Sequence, residues 1–385
     1  MGKIFTLSIL FLISAFQLKA IYLNVNIFHS YEISSAEFSV SSGKYNVSVD
    51  GKSVEAVLKG QRCLLTATGD SVEYRKDGKK IGVYGEVKFL GVSFINVFKL
   101  SPAKPQIKNR FYDDHLFVRA KNGKLFLLNN VDLEHYVAGV VQSESGGSND
   151  NIEYFFVQAI ISRTYALVNY LKHKDEGYNL CDEVHCQYYL GRCRNSDIAR
   201  AVARTSGDVI VDKDKRMISA AFHSNCGGQT VNSEDIWSIP TSYLKSVTDS
   251  FCLTGSNARW TVKVAKKEWL DFLQKRYDFN TGDTALVNRA THFTQNRRLT
   301  TYPGDIPLKF IRSDYGLRST FFSVEPLGAD SLLINGRGYG HGVGLCQQGA
   351  INMVKLGYGY KDVIMHYYTG VKIIHYSELK YNFMP

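Results

Sequence analysis

The chain has 385 residues, 44% of them hydrophobic, with 24 Tyr and 7 Pro, a composition that excludes a disordered or low-complexity protein and leaves room for two or more domains. Beyond residue 20 no apolar run approaches the roughly 20 residues that a membrane-crossing helix needs. The net charge of +10 is spread in pieces such as Arg75, Lys76, Lys79 and Lys80, with no nucleic-acid motif beside them, so it reads as solvated surface or as attraction to an anionic polymer.

Met1 to Ala20 carries Lys3, an apolar core from Ile4 to Phe16 and the small residue Ala20. This is the pattern of a secretory signal, so the mature chain is expected to begin near Ile21 and to be exported. Its expected location is periplasmic, cell-envelope or extracellular, with membrane contact only through the signal before cleavage. No Cys precedes Cys63, which argues against a lipoprotein anchor. From Ile21 to Leu100 the chain reads as short strands: Tyr45, Val47 and Val49 alternate, and Asp50-Gly51 and Asp77-Gly78 are hairpin turns. A small antiparallel β domain is therefore expected over residues 21–105. Ser101 to Pro105, with two prolines, marks its expected boundary with a second domain over 106–385. Phe111 to Val118 and Lys124 to Leu128 look like a hairpin that opens the second domain.

The stretch from Val131 to Tyr170 is the most informative. An apolar segment, Tyr136 to Val141, is followed by a lone acidic residue, Glu144, on an expected turn, and then by a long helix. Phe155, Ala159, Ser162, Ala166 and Tyr170 recur on it at three- and four-residue spacing, interrupted by Gln158 and Arg163. Asn149 or Asp150 is the expected N-cap, with Glu153 completing a capping box. A carboxylate on a turn beside a helix N-terminus suits acid–base chemistry, although a solvated turn residue fits the same pattern. Next come His173, Cys181, His185, Cys186 and Cys193. Clustered thiols and imidazoles are what a tetrahedral zinc site requires, and in an oxidising location a disulfide from Cys181 or Cys186 to Cys193 competes with it.

Asp197 to Thr205 reads as a short helix and Val209 to Val211 as a buried strand. Paired glycines after Cys226 allow a close backbone approach. Cys226 and Cys252 are the expected disulfide, leaving Cys63 and Cys346 as free or buried thiols. Ala258 to Val264 reads as a strand and Lys266 to Arg276 as a helix with Trp269, Leu270, Phe272 and Leu273 on its apolar side, whereas Tyr277 to Pro307 is polar and irregular. Gly336 to Ala350 has glycines at 336, 338, 340, 342, 344 and 349. It lacks the register of a dinucleotide fingerprint and is expected to form a tight loop that projects Tyr339 and His341 into a groove. No organic cofactor is expected. A helix is expected to begin near Leu345, and Lys361 to Tyr368 is the last.

These blocks resemble the stage II sporulation protein D family, which includes the amidase enhancers. The resemblance rests on Tyr136, Gly139, Val140, Val141 and Glu144, then on Gln158, Ala159, Arg163, Thr164, Tyr165 and Ala166. The blocks Phe222 to Thr230, Tyr315 to Val324 and Ile334 to Ala350 extend it. It implies an α+β fold: a β-rich, groove-forming domain with a long central helix and several short ones. It also implies a lytic transglycosylase that cleaves peptidoglycan glycan strands at N-acetylmuramic acid, giving 1,6-anhydro ends. Glu144 would be the general acid and base, and Arg163, Tyr339, His341 and Gln347 would bind substrate. Zinc on Cys181, His185 and Cys186, with His173 or Cys193 as the fourth ligand, is implied by relatives that carry zinc in this segment. The alternative within the family is a non-catalytic wall-binding protein that enhances a cell-wall amidase. Two departures stand out: Ser145 replaces a common Met, and Cys346 a common Ser.

Overall fold

A computed structural model describes residues 20–145 and 151–379. The expected signal, apart from Ala20, and the expected caps Asn149 and Asp150 lie outside the described residues. The fold is α+β, as the family resemblance implies. Its first part is a sandwich of two sheets. One has the strand order Leu180–Cys181, Tyr22–Asn26, Lys124–Asp132, His115–Lys121, Glu86–Gly91, Tyr45–Val49 and Lys52–Val57. The other runs Arg110–Asp113, Val97–Lys104, Ser35–Ser42, Arg62–Thr68, Ser71–Lys76 and Lys79–Tyr84. Alternation dictates the inner faces: along Tyr45–Val49 every second side chain is buried. Phe38 from one sheet stacks on Phe89 from the other with ring centroids 4.0 Å apart, and Tyr45 meets Phe38 edge-on at 5.2 Å. Offset and edge-on aromatic contacts of this kind add about 1 kcal/mol each to the burial itself.

Hydrogen bonding runs straight across residues 101–105. Tyr22–Asn26 pairs with Lys124–Asp132, and Glu86–Gly91 with His115–Lys121. Pro102 is tolerated inside a strand because the neighbour Arg110–Asp113 pairs only with Val97 to Leu100, leaving no ladder partner on that side at Pro102.

Beyond the sandwich the chain becomes helical, with α1 at Leu133–Ser145, α2 at Ile152–Val168 and α3 at Ser196–Arg204. The expectation for α2 needs correcting: it is buried on nearly every side, Gln158, Ser162 and Arg163 included. Such a helix is apolar all round, so its periodicity is blurred. Asn151 caps it by accepting a hydrogen bond from the Glu153 N–H at 2.9 Å. Glu153 accepts instead from the Tyr360 N–H, at 2.9 Å.

Downstream lie α4 (Ser233–Trp237), α5 (Lys266–Tyr277), α6 (Thr284–Thr291), α7 (Leu308–Tyr315), α8 (Gln347–Lys355) and α9 (Tyr360–Tyr367). The strands Arg259–Ala265, Ser331–Arg337 and Phe322–Pro326 form one sheet. With α5, α6 and α7 this sheet encloses a second core around Trp260, Trp269, Phe293, Tyr302 and Ile334. The stretch from Tyr277 to Pro307 that reads as irregular therefore holds α6 and part of a core. Its order comes from Tyr302, whose hydroxyl accepts from Trp269 Nε1 at 3.1 Å and donates to the Ala290 carbonyl at 2.5 Å.

At the start of α1, His135 Nδ1 lies 2.9 Å from Asp114 Oδ2, which holds the imidazolium and raises its pKa to about 9. A folded-state value above the unfolded one contributes stability below pH ~6.5 that is lost as pH rises through about 9. His135→Gln should remove that slope from a plot of urea midpoint against pH. The imidazole is half-exposed, so the effect should be about 1 kcal/mol or less.

Candidate active site

Glu144 does not sit on a turn. It occupies the last turn of α1, and that turn is stitched to the loop that follows Cys186. The Tyr188 N–H donates to Glu144 Oε1 at 3.1 Å, the Leu190 N–H to Ser143 Oγ at 3.0 Å, and the Arg194 N–H to Gln142 Oε1 at 2.6 Å. The approach requires glycine at 139, because a Cβ there would lie 2.4 Å from the Gly191 carbonyl oxygen. Burial raises the Glu144 pKa, and the Tyr188 N–H and the Gln347 side chain offset only part of that rise. Gln347 is beside the carboxylate but not firmly bonded to it, since its Nε2 has no partner of ordinary geometry among the described residues. A carboxyl so placed is biased toward its protonated form.

Glu144 lines a cavity of about 700 Å³, together with Tyr339, His341 and Gln347. The tertiary structure thus brings together four of the five residues expected to act or bind substrate. The fifth, Arg163, is elsewhere, and its expected substrate role is not what its surroundings support. Its guanidinium is fully buried and forks onto Glu134, with Nε to Oε1 at 2.9 Å and Nη2 to Oε2 at 2.5 Å, while Nη1 donates to the Asp208 carbonyl at 3.1 Å. It ties α1, α2 and the strand Asp208–Val211 together. Arg163→Ala should therefore destabilise the fold by about 3 kcal/mol, because it strands a partly buried carboxylate and a carbonyl. In urea denaturation that loss should appear without a change in substrate affinity of the folded fraction.

His341 reaches the cavity wall with both ring nitrogens engaged. The Phe222 carbonyl can only accept, so Nε2 carries the proton it donates at 3.0 Å, and Nδ1 accepts from the Val343 N–H at 3.1 Å. Burial lowers its pKa to about 4. A neutral, fully bonded imidazole cannot stabilise developing negative charge or relay a proton; it shapes the loop and lies tilted against Trp237, ring centroids 5.4 Å apart.

Three cavity residues were not read from the sequence. His223 donates Nδ1–H to the Val343 carbonyl at 3.1 Å, and its Nε2 has no partner among the described residues. Its segment was recognisable, but nothing local marked the imidazole. Trp237, at the end of α4, is 42% exposed and offers a ring face at the cavity. Arg312 comes from α7 in the second core, where burial lowers its pKa; no local signal announces it.

His173, Cys181, His185 and Cys186 also converge, each offering a ligand atom within 4.8 Å of the others. Cys186 Sγ is 3.4 Å from His173 Nε2, and Cys181 and Cys186 both lie 3.8 Å from His185 Nδ1. The other nitrogen of His173 is 2.6 Å from Glu176 Oε1, the outer carboxylate contact that fixes a ligating imidazole. Cys193 turns away to the Asn195 carbonyl, and all the cysteines are free thiols, Cys226 and Cys252 included.

A half-buried carboxyl, the one carboxyl among the described residues that line the cavity, is thus set in an α+β protein. The chain is similar to the stage II sporulation protein D and amidase enhancer family. Residues 121–211 match the family profile described as stage II sporulation protein. An uncharacterized protein of Brachyspira hyodysenteriae is 28% identical over 294 residues, which cover 71% of this chain and 75% of that one. Stage II sporulation protein D of Bacillus subtilis is 29% identical over 263 residues, 63% of this chain and 75% of the relative. The amidase enhancer of Bacillus subtilis is 24% identical over 293 residues, 62% of this chain but 40% of its own length. Among the described residues no helix is long and apolar enough to cross a membrane.

Proposed function

We propose that the protein is exported and acts as a lytic transglycosylase on peptidoglycan, cleaving glycan strands at N-acetylmuramic acid. The observation that carries this reading is Glu144, which among the described cavity-lining residues is the one carboxyl, half-buried and biased toward its protonated form. Hydrolytic glycosidases usually need two carboxyl groups. A transglycosylase needs one, because the muramic C6 hydroxyl supplies the nucleophile from within the substrate. Glu144 gives its proton to the glycosidic oxygen as the bond to the anomeric carbon breaks. The C6 oxygen bonds to that carbon, and its proton passes to the Glu144 carboxylate, which restores the acid. Trp237 offers a face for a sugar ring, Tyr339 and Arg312 flank it, and His223 Nε2 can accept from a sugar hydroxyl.

Zinc on His173, Cys181, His185 and Cys186 belongs to the same proposal, in a closed two-cysteine, two-histidine set. The ion would supply structural rigidity, holding the segment whose Tyr188 N–H fixes Glu144. The test is mass spectrometry of purified glycan strands incubated with the mature chain alone. Fragments with 1,6-anhydro ends are expected. Intact strands, with stimulation of an added cell-wall amidase, would instead support the accessory role suggested by the name of the amidase enhancer relative.

A further inference from the structure

A second cluster of donors lies behind the cavity. Cys226, Asp249, Cys252 and Cys346 each present a ligand atom within 4.8 Å of the other three, and all four residues are fully buried. They come from three separate segments: the loop after the strand Phe222–His223, the turn Asp249 to Cys252, and the first cap of α8. We propose that these four side chains bind a second zinc ion, as a closed structural site of three thiolates and one carboxylate.

The geometry has the scale of a metal site. Cys226 and Cys252 have their sulfurs 3.4 Å apart, far beyond the ~2.05 Å of a disulfide. Two thiolates on one tetrahedral zinc, each ~2.3 Å from the ion, stand roughly 3.8 Å apart. Cys226 Sγ is 3.2 Å from Asp249 Oδ2. The backbone is arranged for anionic sulfur. The N–H of Cys226 points to Cys346 Sγ at 3.3 Å, that of Gly349 to the same sulfur at 3.4 Å, and that of Gly228 to Cys252 Sγ at 3.2 Å. The carboxylate is oriented from outside, as ligands usually are. Asp249 Oδ1 accepts from the N–H groups of Phe251 and Cys252 at 3.0 and 3.2 Å, and Tyr367 donates to Oδ2 at 3.0 Å.

Zinc binding would displace the thiol protons to solvent, with no change in oxidation state. Arg298 adds positive charge beside the site, anchored by Nη2 to the Cys226 carbonyl at 2.6 Å and by Nε to the Gln229 carbonyl at 2.7 Å. The ion would brace the cavity from behind, since His223 and Ser224 precede Cys226 in the chain and Gln347 follows Cys346.

This inference is independent of the catalytic reading, because its readout is metal content. Elemental analysis of the purified full chain should give two zinc ions per chain. Cys252→Ser should retain one and Cys186→Ser should retain the other. Should Cys252→Ser fail to fold, anomalous scattering at the zinc edge from wild-type crystals should show a peak at the centre of the four side chains. A wild-type map with no peak there overturns the proposal. So does an intact mass lower by one pair of hydrogens, with Cys226 crosslinked to Cys252.

Discussion

Glu144→Gln is expected to abolish 1,6-anhydro end formation while leaving folding and glycan binding intact. The amide keeps the shape of the side chain and can still accept from the Tyr188 N–H, but it cannot give a proton to a leaving oxygen. Loss of a general acid typically lowers rate by about 10²–10⁴. The upper end is expected here, because no second carboxyl lines the cavity among the described residues. The pH profile makes the assignment sharper. Burial raises the Glu144 pKa, so wild-type activity should be held below that value and fall as pH rises through it, whereas residual activity of the Gln variant should lack that limb. Wild-type rates of anhydro-fragment release by the Gln variant would remove Glu144 from the chemistry and turn attention to the accessory role.

Cys186→Ser should lose the zinc proposed at His173, Cys181, His185 and Cys186, and much of the thermal stability with it. A closed zinc site forms only in the folded chain, so binding free energy is folding free energy; small zinc domains draw about 10–16 kcal/mol from it. Here a large core exists without the ion, so the expected result is a lowered melting temperature rather than an unfolded chain. The loss should be concentrated in the segment that carries Tyr188. Catalytic rate should fall as well, because that segment supplies the Tyr188 N–H that donates to Glu144 Oε1 at 3.1 Å. Elemental analysis and melting curves with and without a chelator check it. A metal-free wild-type protein with oxidised Cys181 or Cys186 would decide for a disulfide instead.

Local chemistry was legible along the chain. Alternation announced Tyr45–Val49, the turn residues announced the hairpins, and the motif around Gly139 to Glu144 marked the candidate acid. His173, Cys181, His185 and Cys186 could be nominated together because they are close in sequence and the fold merely turns them toward one another. Arg163 could not be assigned from its motif. An arginine inside a helix reads alike whether it faces a ligand or a buried Glu134, and only the packing of α1 against α2 decides.

Most of the strands and helices, the candidate acid and the first candidate donor set could be read along the chain, because each depends on residues within a few turns or hairpins of one another; α6 and the helical setting of Glu144 could not. Tertiary structure alone decided that the strands either side of residue 105 share sheets, that Trp237, His223 and Arg312 meet Glu144 around one cavity, and that His341 is spent on backbone hydrogen bonds. It also decided that Cys226 and Cys346, 120 positions apart, face each other with Asp249 and Cys252. The physical reason is that pattern in a chain reports which face of an element is buried, whereas the partner that buries it is chosen by packing between distant segments.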